Sequence, residues 1–585
     1  MKIAVRAAIL LALGTVLSTF APSPPDEMAF DPSRLAASLC TERSAGAGLA
    51  RDLLFAQAAA APASQAPPIL LFPALTHSAF PLSSTNEKAR RYFSQGLLLT
   101  YGFNHSGAVR SFREAQSLDP GCAMCWWGEA AALGPNINAP MDDRDHKAAV
   151  NALDRAMALK GAASPMERAL IEALSKRYAP DAKADRAALD AAYADAMIAV
   201  AHQYPNDDDV AVLAAEAAMD TSPWNYWAAD KKTPIGRAGE AIRLVETVIA
   251  RNPAHPQAAH LYIHLMEASD PARAEAAADR LQGMRLPDAG HLVHMPGHIY
   301  YARGRWADSI RGNIAAARSD EAVIRSTNDR SLLRYGYYPH NVHFIVTSAQ
   351  MAGDMKTALR EAQRLRTILD VETSASIGWI QAIDAAPYLA MAQFAAPAEV
   401  LAMPAPDARL AYATGMWRYA RATAFADLHD WKGFESEIAA IETLKTSGAL
   451  KSLIDQGVPA LDLMTLAQTV ARGRFAVSQG LYVDAIGFYT KAAQIEATLP
   501  YQEPPYWYFP VRQSLGAALF LAGRPADASQ AFREALIQAP NNGWALYGLA
   551  RSEAALGHAP EAAAARAAFS RAWMGDRRWL RMERL

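Results

Sequence analysis

Five residues at fixed offsets recur at the two ends of this chain. Gly96, Ala108, Phe112, Ala115 and Pro120 keep the same intervals as Gly516, Ala528, Phe532, Ala535 and Pro540. The small residues let two helices approach closely, the aromatic ring fills the space between them, and the proline stops the second helix and turns the chain. A looser copy runs through Gly473, Ala485, Tyr489 and Ala492. Two further units are marked by Gly297, Tyr300, Gly304 and Trp306, and by Gly353, Ala358, Ala362 and Leu365. A helix pair of this kind cannot bury its apolar face alone, so it must stack on neighbours in an array. Beyond residue 85 the chain is rich in Ala, Leu, Arg and Glu, all good helix formers, with little strand-like alternation. The expected fold class is all-α, a solenoid of antiparallel helix pairs.

These intervals are those of the 34-residue tetratricopeptide repeat. The chain resembles tetratricopeptide-repeat proteins over roughly residues 88–575, with the middle degenerate. It is also similar to a group of bacterial proteins of that kind, of unassigned function. They carry segments like FNHSGAVRSFREA, WWGEAAALGPNINAPM, HLVHMPGHIYYARGR, YYPHNVHF and WYFPVRQSLGAAL. The resemblance implies a right-handed superhelix with the first helix of each pair on the concave wall. It also implies that the second, fifth and ninth places of each repeat face the groove, and that the partner is a protein or peptide.

The amino terminus reads differently. Lys2 and Arg6 precede Ala7–Ala21, an apolar run of 15 residues. A membrane-spanning helix needs about 20, so residues 1–21 read as a secretory signal peptide, with an uncleaved membrane anchor as the other reading. Residues 22–80 follow as a linker whose AQAAAAPASQAPP stretch is low-complexity. The superhelix is then expected over 81–585, in a periplasmic or secreted protein with no further transmembrane segment. The formal net charge of −2 lacks the basic excess of a dedicated nucleic-acid binder.

Eight of the fourteen histidines fall between His255 and His343. A repeat register set on Pro253, Pro287, Gly297, Tyr300, Gly304, Gly353 and Ala358 uses none of them. It places His260 and His264 at the fifth and ninth positions of one repeat. His291, His294 and His298 take the second, fifth and ninth of the next, and His340 and His343 the second and fifth of a third. Seven histidines would then share the concave groove. Spacings of three and four residues bring imidazoles to one helix face about 5–6 Å apart, near enough to share a metal ion. Pro296 disfavours helix at Met295, which would move His291 and His294 onto a preceding turn. Three readings stand: a hydrogen-bonded polar groove, a transition-metal site (Zn, Cu or Fe), and a groove for an acidic peptide or small anion.

The remaining signals are weaker. Cys122 and Cys125 form a CxxC at a helix start, a candidate redox or disulfide pair, or two small residues buried in a turn. Trp127 sits at a fifth place and is expected to line the groove. Glu267 follows His264 by three residues and reads first as a solvated or hydrogen-bonded carboxylate, with an oxygen ligand or a support for one as the other reading. There is no HExxH motif, phosphate loop, Rossmann fingerprint or nucleophile triad, so no catalytic residue is assigned. The sequence supports an exported repeat scaffold with a histidine-lined, metal-loaded or acid-binding groove; the alternative is a hydrolytic or redox metalloenzyme.

Overall fold

A computed structural model describes residues 69–585, most of them in helices joined by short connections. Among the described residues β structure is confined to two isolated bridges, Asn136 with Ala139 and Trp227 with Pro234. The fold is the all-α array of helix pairs expected from the repeat. The signal segment 1–21 and the linker up to residue 68 lie outside the described residues. The expected linker boundary at residue 80 is corrected, because Ile69, Phe72, Leu75 and Phe80 are already buried. Phe72 donates its backbone N–H to Gln95 and Tyr92 donates its hydroxyl to the Ile69 carbonyl, so this stretch packs along the first repeat.

The first unit shows how the motif builds a pair. Helix α1 (Glu87–Tyr101) begins at Asn86, whose side chain accepts the Ala89 N–H. Helix α2 (His105–Leu118) is capped in the same way by Asn104, which accepts from Gly107. Three residues join these packed helices, so they run antiparallel. Next comes α3 (Ala123–Ala132). The Phe112 ring is wedged between Gly96 and Gly128, and a Cβ at Gly96 would lie 2.7 Å from it.

The middle of the array supplies α4 (Pro256–Met266), α5 (Gly290–His294), α6 (Pro296–Ala302), α7 (Trp306–Thr327) and α8 (Tyr338–Ala352). Proline was expected to break the helix at Met295. Instead Met295 keeps helical angles (φ −51°, ψ −40°) and donates its N–H to the His291 carbonyl at 3.0 Å. Pro296 stands at the first position of α6, where its missing N–H is tolerated. The chain therefore passes from α5 to α6 without leaving the helical region, and His291, His294 and His298 stay on one face.

At the carboxyl end α9 (Val511–Leu521), α10 (Pro525–Gln538) and α11 (Gly543–Ala555) repeat the first unit, with Phe532 between Gly516 and Gly548. These repeats do not point away from the rest. Trp306 Nε1 donates to the Asn541 carbonyl at 3.0 Å and Trp544 Nε1 to the Gln350 carbonyl at 2.8 Å. The Met574 N–H donates to the Ala352 carbonyl at 2.8 Å. Gly304, at φ +66°, lies so close to Pro540 that a Cβ would run into the Pro540 carbonyl oxygen. The array thus curls until its last repeats dock on its middle. Residues about 200 or more positions apart in sequence thus tie the last repeats to the ends of α6, α7 and α8.

Candidate metal centre

The middle helices carry the histidines inward, with Glu503 against His298 and Tyr508 against His343. α4 contributes His260 and His264, one turn apart; α5 contributes His291 and His294, α6 His298, and α8 His340 and His343. None is more than 5% exposed. The expectation of an open histidine-lined groove is therefore corrected to a closed interior. Trp127 is corrected likewise: at 1% exposed it is a packed core side chain that lines no groove.

Six of the seven rings fall into two sets of three. His260, His264 and His291 each offer a nitrogen within 4.8 Å of the others, and so do His294, His298 and His340. His343 joins neither; its Nε2 pairs with the Tyr508 hydroxyl at 2.7 Å. Phe103 packs on the rings of the first set at centroid distances of 4.6, 6.0 and 5.2 Å. Phe344 packs on those of the second at 4.9, 4.8 and 5.0 Å.

Within the two sets the hydrogen bonds to other side chains fall on Nδ1, and in the second set His294 Nε2 and His298 Nε2 also bond to each other at 2.8 Å. His260 Nδ1 meets Gln257 Oε1 at 2.9 Å, His264 Nδ1 meets Glu267 Oε1 at 2.9 Å, and His294 Nδ1 meets Asn313 Oδ1 at 2.6 Å. Each of these oxygens accepts, which fixes the proton on Nδ1 and leaves Nε2 with a lone pair. The inward nitrogens of His260 and His264, and both nitrogens of His291, have no hydrogen-bond partner. A buried polar atom left unpaired costs about 1–3 kcal/mol, so four in one place is a large unreturned cost for a purely structural core. Metal-ligating histidines show this same arrangement, one nitrogen anchored by an oxygen and the other free to ligate.

Carboxylates complete the site. Glu267 contacts His264 through Oε1, and its Oε2 lies 2.6 Å from His298 Nδ1. Glu503 Oε2 accepts from the Tyr501 hydroxyl at 2.6 Å and lies 3.3 Å from His298 Nδ1. Burial opposes a charge on His298, but Glu267 and Glu503 outweigh it and raise its pKa to about 10. Burial drives His260, His264, His291, His294 and His340 well below the ordinary imidazole range, with neighbouring histidines adding to the effect. Five imidazoles held neutral by burial keep lone pairs for a cation, whereas His298 ligates only after giving up a proton, which a bound cation would displace.

Nothing in the sequence singles out Glu503, which lies 205 residues beyond His298, the histidine it contacts. The Cys122 and Cys125 sulfurs are joined in a disulfide that staples the start of α3. Two crevices reach the region, one past Phe103, His105 and Tyr337 and one past His291 and Asp320, each about 10 Å³. That is room for about one water. A much larger cleft of about 1150 Å³ is lined by Arg474, Arg578, Arg581 and Arg584 together with Asp427 and Asp576, and by none of the seven histidines.

No family model matches the chain, and no curated protein matches it. Solved structures similar to it include a human IFIT1 dimer with PPP-AAAA (12% identity, TM-score 0.31), covering 81% of this chain and 94% of that one. The P58(IPK) TPR domain (14%, 0.21) covers 80% and 99%, and yeast Tom70 (9%, 0.25) covers 84% and 93%. At these scores the likeness carries nothing about ligand or partner. The fold assignment rests on the helix pairs described above.

Proposed function

We propose that this helical-repeat scaffold encloses a transition-metal centre, and that the protein acts through that centre on small ligands. The observation that carries the reading is the set of buried imidazoles whose outer nitrogens are anchored by Gln257, Glu267 and Asn313 while the inner nitrogens of His260 and His264 stand unpaired. Imidazole donors without thiolate suit Zn, Cu, Ni or Fe. Hydrolytic and redox chemistry are both within reach of such a centre, and crevices with room for about one water favour reactants of that size. An exported location is part of the proposal, and the Cys122–Cys125 disulfide supports it because oxidising compartments preserve such bonds.

Metal analysis of protein purified without chelators tests this. Bound metal is expected in the native chain, with a clear loss in the double variant His294→Ala/His298→Ala and little change in helicity. A chain that carries no metal, and takes up none of Zn(II), Cu(I), Cu(II) or Fe(II) after purification, retires the reading.

A second reading has its own observation. A binding scaffold for an acidic peptide or anion would use the arginine-lined cleft rather than the histidines, which are closed off. Binding of an acidic peptide that Arg581→Glu abolishes, while metal content is unchanged, would favour it.

A further inference from the structure

The two three-histidine sets are built on the same plan, displaced by one repeat. In the first, His260 and His264 stand four residues apart on α4, and His291 comes from the next first-helix of the array. In the second, His294 and His298 stand four residues apart on α5–α6, and His340 comes from the following one, α8. In repeat terms each set is the fifth and ninth places of one unit plus the second place of its successor. Each set also has its own phenylalanine against all three rings, Phe103 for the first and Phe344 for the second. The series stops at the third unit for a visible reason. His343 holds the fifth place, but the ninth is Thr347, whose hydroxyl bonds back to the His343 carbonyl, and His343 itself turns to Tyr508.

We infer that the nest holds two transition-metal ions, one in His260–His264–His291 and one in His294–His298–His340, rather than a single ion drawn from either set. This deepens the metal reading above and rests on it. The sets touch without sharing a ring: His264 and His298 have centroids 6.0 Å apart, and His291 and His294 5.8 Å. Within the first set the inward nitrogens of His260, His264 and His291 are unpartnered. Within the second, His294 Nε2 and His298 Nε2 are hydrogen-bonded to each other at 2.8 Å, and an ion between them would take the place of the shared proton. Three imidazoles leave each ion an open coordination position, as in catalytic rather than closed structural sites, and neighbouring open positions suit a small bridging ligand such as water or hydroxide.

The test is stoichiometry on the full chain. Protein stripped with chelator, refilled with Co(II) or Cu(I) alone and desalted should hold two ions per chain by elemental analysis. His260→Gln/His264→Gln should hold one, His294→Gln/His298→Gln one, and the fourfold variant none, with circular dichroism confirming retained helix in each. A native chain that holds a single ion overturns the two-ion inference and leaves the metal reading standing. So does a native pair of ions that either double variant loses together. A native chain that holds none overturns both. Native stoichiometry needs no variant, so a double variant that fails to fold leaves the question decidable.

Discussion

His294 Nε2 and His298 Nε2 lie 2.8 Å apart, with the outer nitrogen of one on Asn313 and that of the other on Glu267. Two nitrogens bound at about 2.0–2.1 Å to one tetrahedral ion would lie about 3.3 Å apart. The hydrogen-bonded pair would therefore open by about half an ångström on binding, a side-chain adjustment that leaves the helix in place.

That support can be removed without touching a ligand. Asn313→Ala deletes the oxygen that holds His294 Nδ1 and should weaken metal binding by about 10–100-fold, the usual cost of losing such a support. Competition against a chelator of known affinity measures it. An unchanged affinity would show that Asn313 only packs.

Closure of the array depends on Gly304. Its φ of +66° and the proximity of the Pro540 carbonyl leave no room for a side chain. Gly304→Val combines a left-handed β-branched residue with a steric clash, and should cost about 1–3 kcal/mol or more. A lower melting temperature, together with faster proteolysis between residues 540 and 585, is expected. A variant as stable as the native chain would mean that the docked repeats are not held by this contact.

Asp145 gives a pH signature away from the seven clustered histidines. Burial, then Asp142, raises its carboxyl to about 8, against about 3.9 in an unfolded chain. The folded state favours the protonated form, so the contribution is fully present below about pH 4 and is lost as pH rises through about 8. Asp145→Asn removes the titration. Its melting temperature relative to the native chain should therefore rise from pH 5 to pH 9, and a difference that is flat or falls over that range would refute the assignment.

The two end repeats were legible because Gly96 with Phe112 and Gly516 with Phe532 are local pairs whose spacing encodes a contact. The histidine register was legible for the same reason, since a fixed helical period sets the second, fifth and ninth places. Closure was not. Gly304 was read as a repeat glycine, and nothing local says that its missing side chain admits Pro540 from 236 residues away. Without the side chains that pack on them from elsewhere in the chain, Phe103, Tyr337, Phe344 and Tyr508 among them, the seven histidines read as a groove. Glu503 was hidden for the same cause, because its role exists only when a distant loop folds over α6. Pro296 was read by a local rule that holds for isolated peptides. Packing of α5 and α6 into the array kept Met295 helical.

Glu267 contacts both sets, hydrogen-bonded through Oε1 to His264 Nδ1 at 2.9 Å and in ionic contact through Oε2 with His298 Nδ1 at 2.6 Å. A carboxylate accepts at both oxygens, whereas an amide accepts at one and donates at the other. Glu267→Gln therefore keeps the size of the side chain and loses one of the two anchors, along with the negative charge that offsets a bound cation. Gln257→Ala should disturb His260 alone and Asn313→Ala His294 alone, each weakening one of two titration steps. Glu267→Gln should weaken both, each by about 10-fold or more. Stepwise Co(II) titration followed by absorption separates the steps. If Glu267→Gln shifts only the step that Gln257→Ala shifts, the carboxylate serves the first set alone and the link through His298 has no energetic weight.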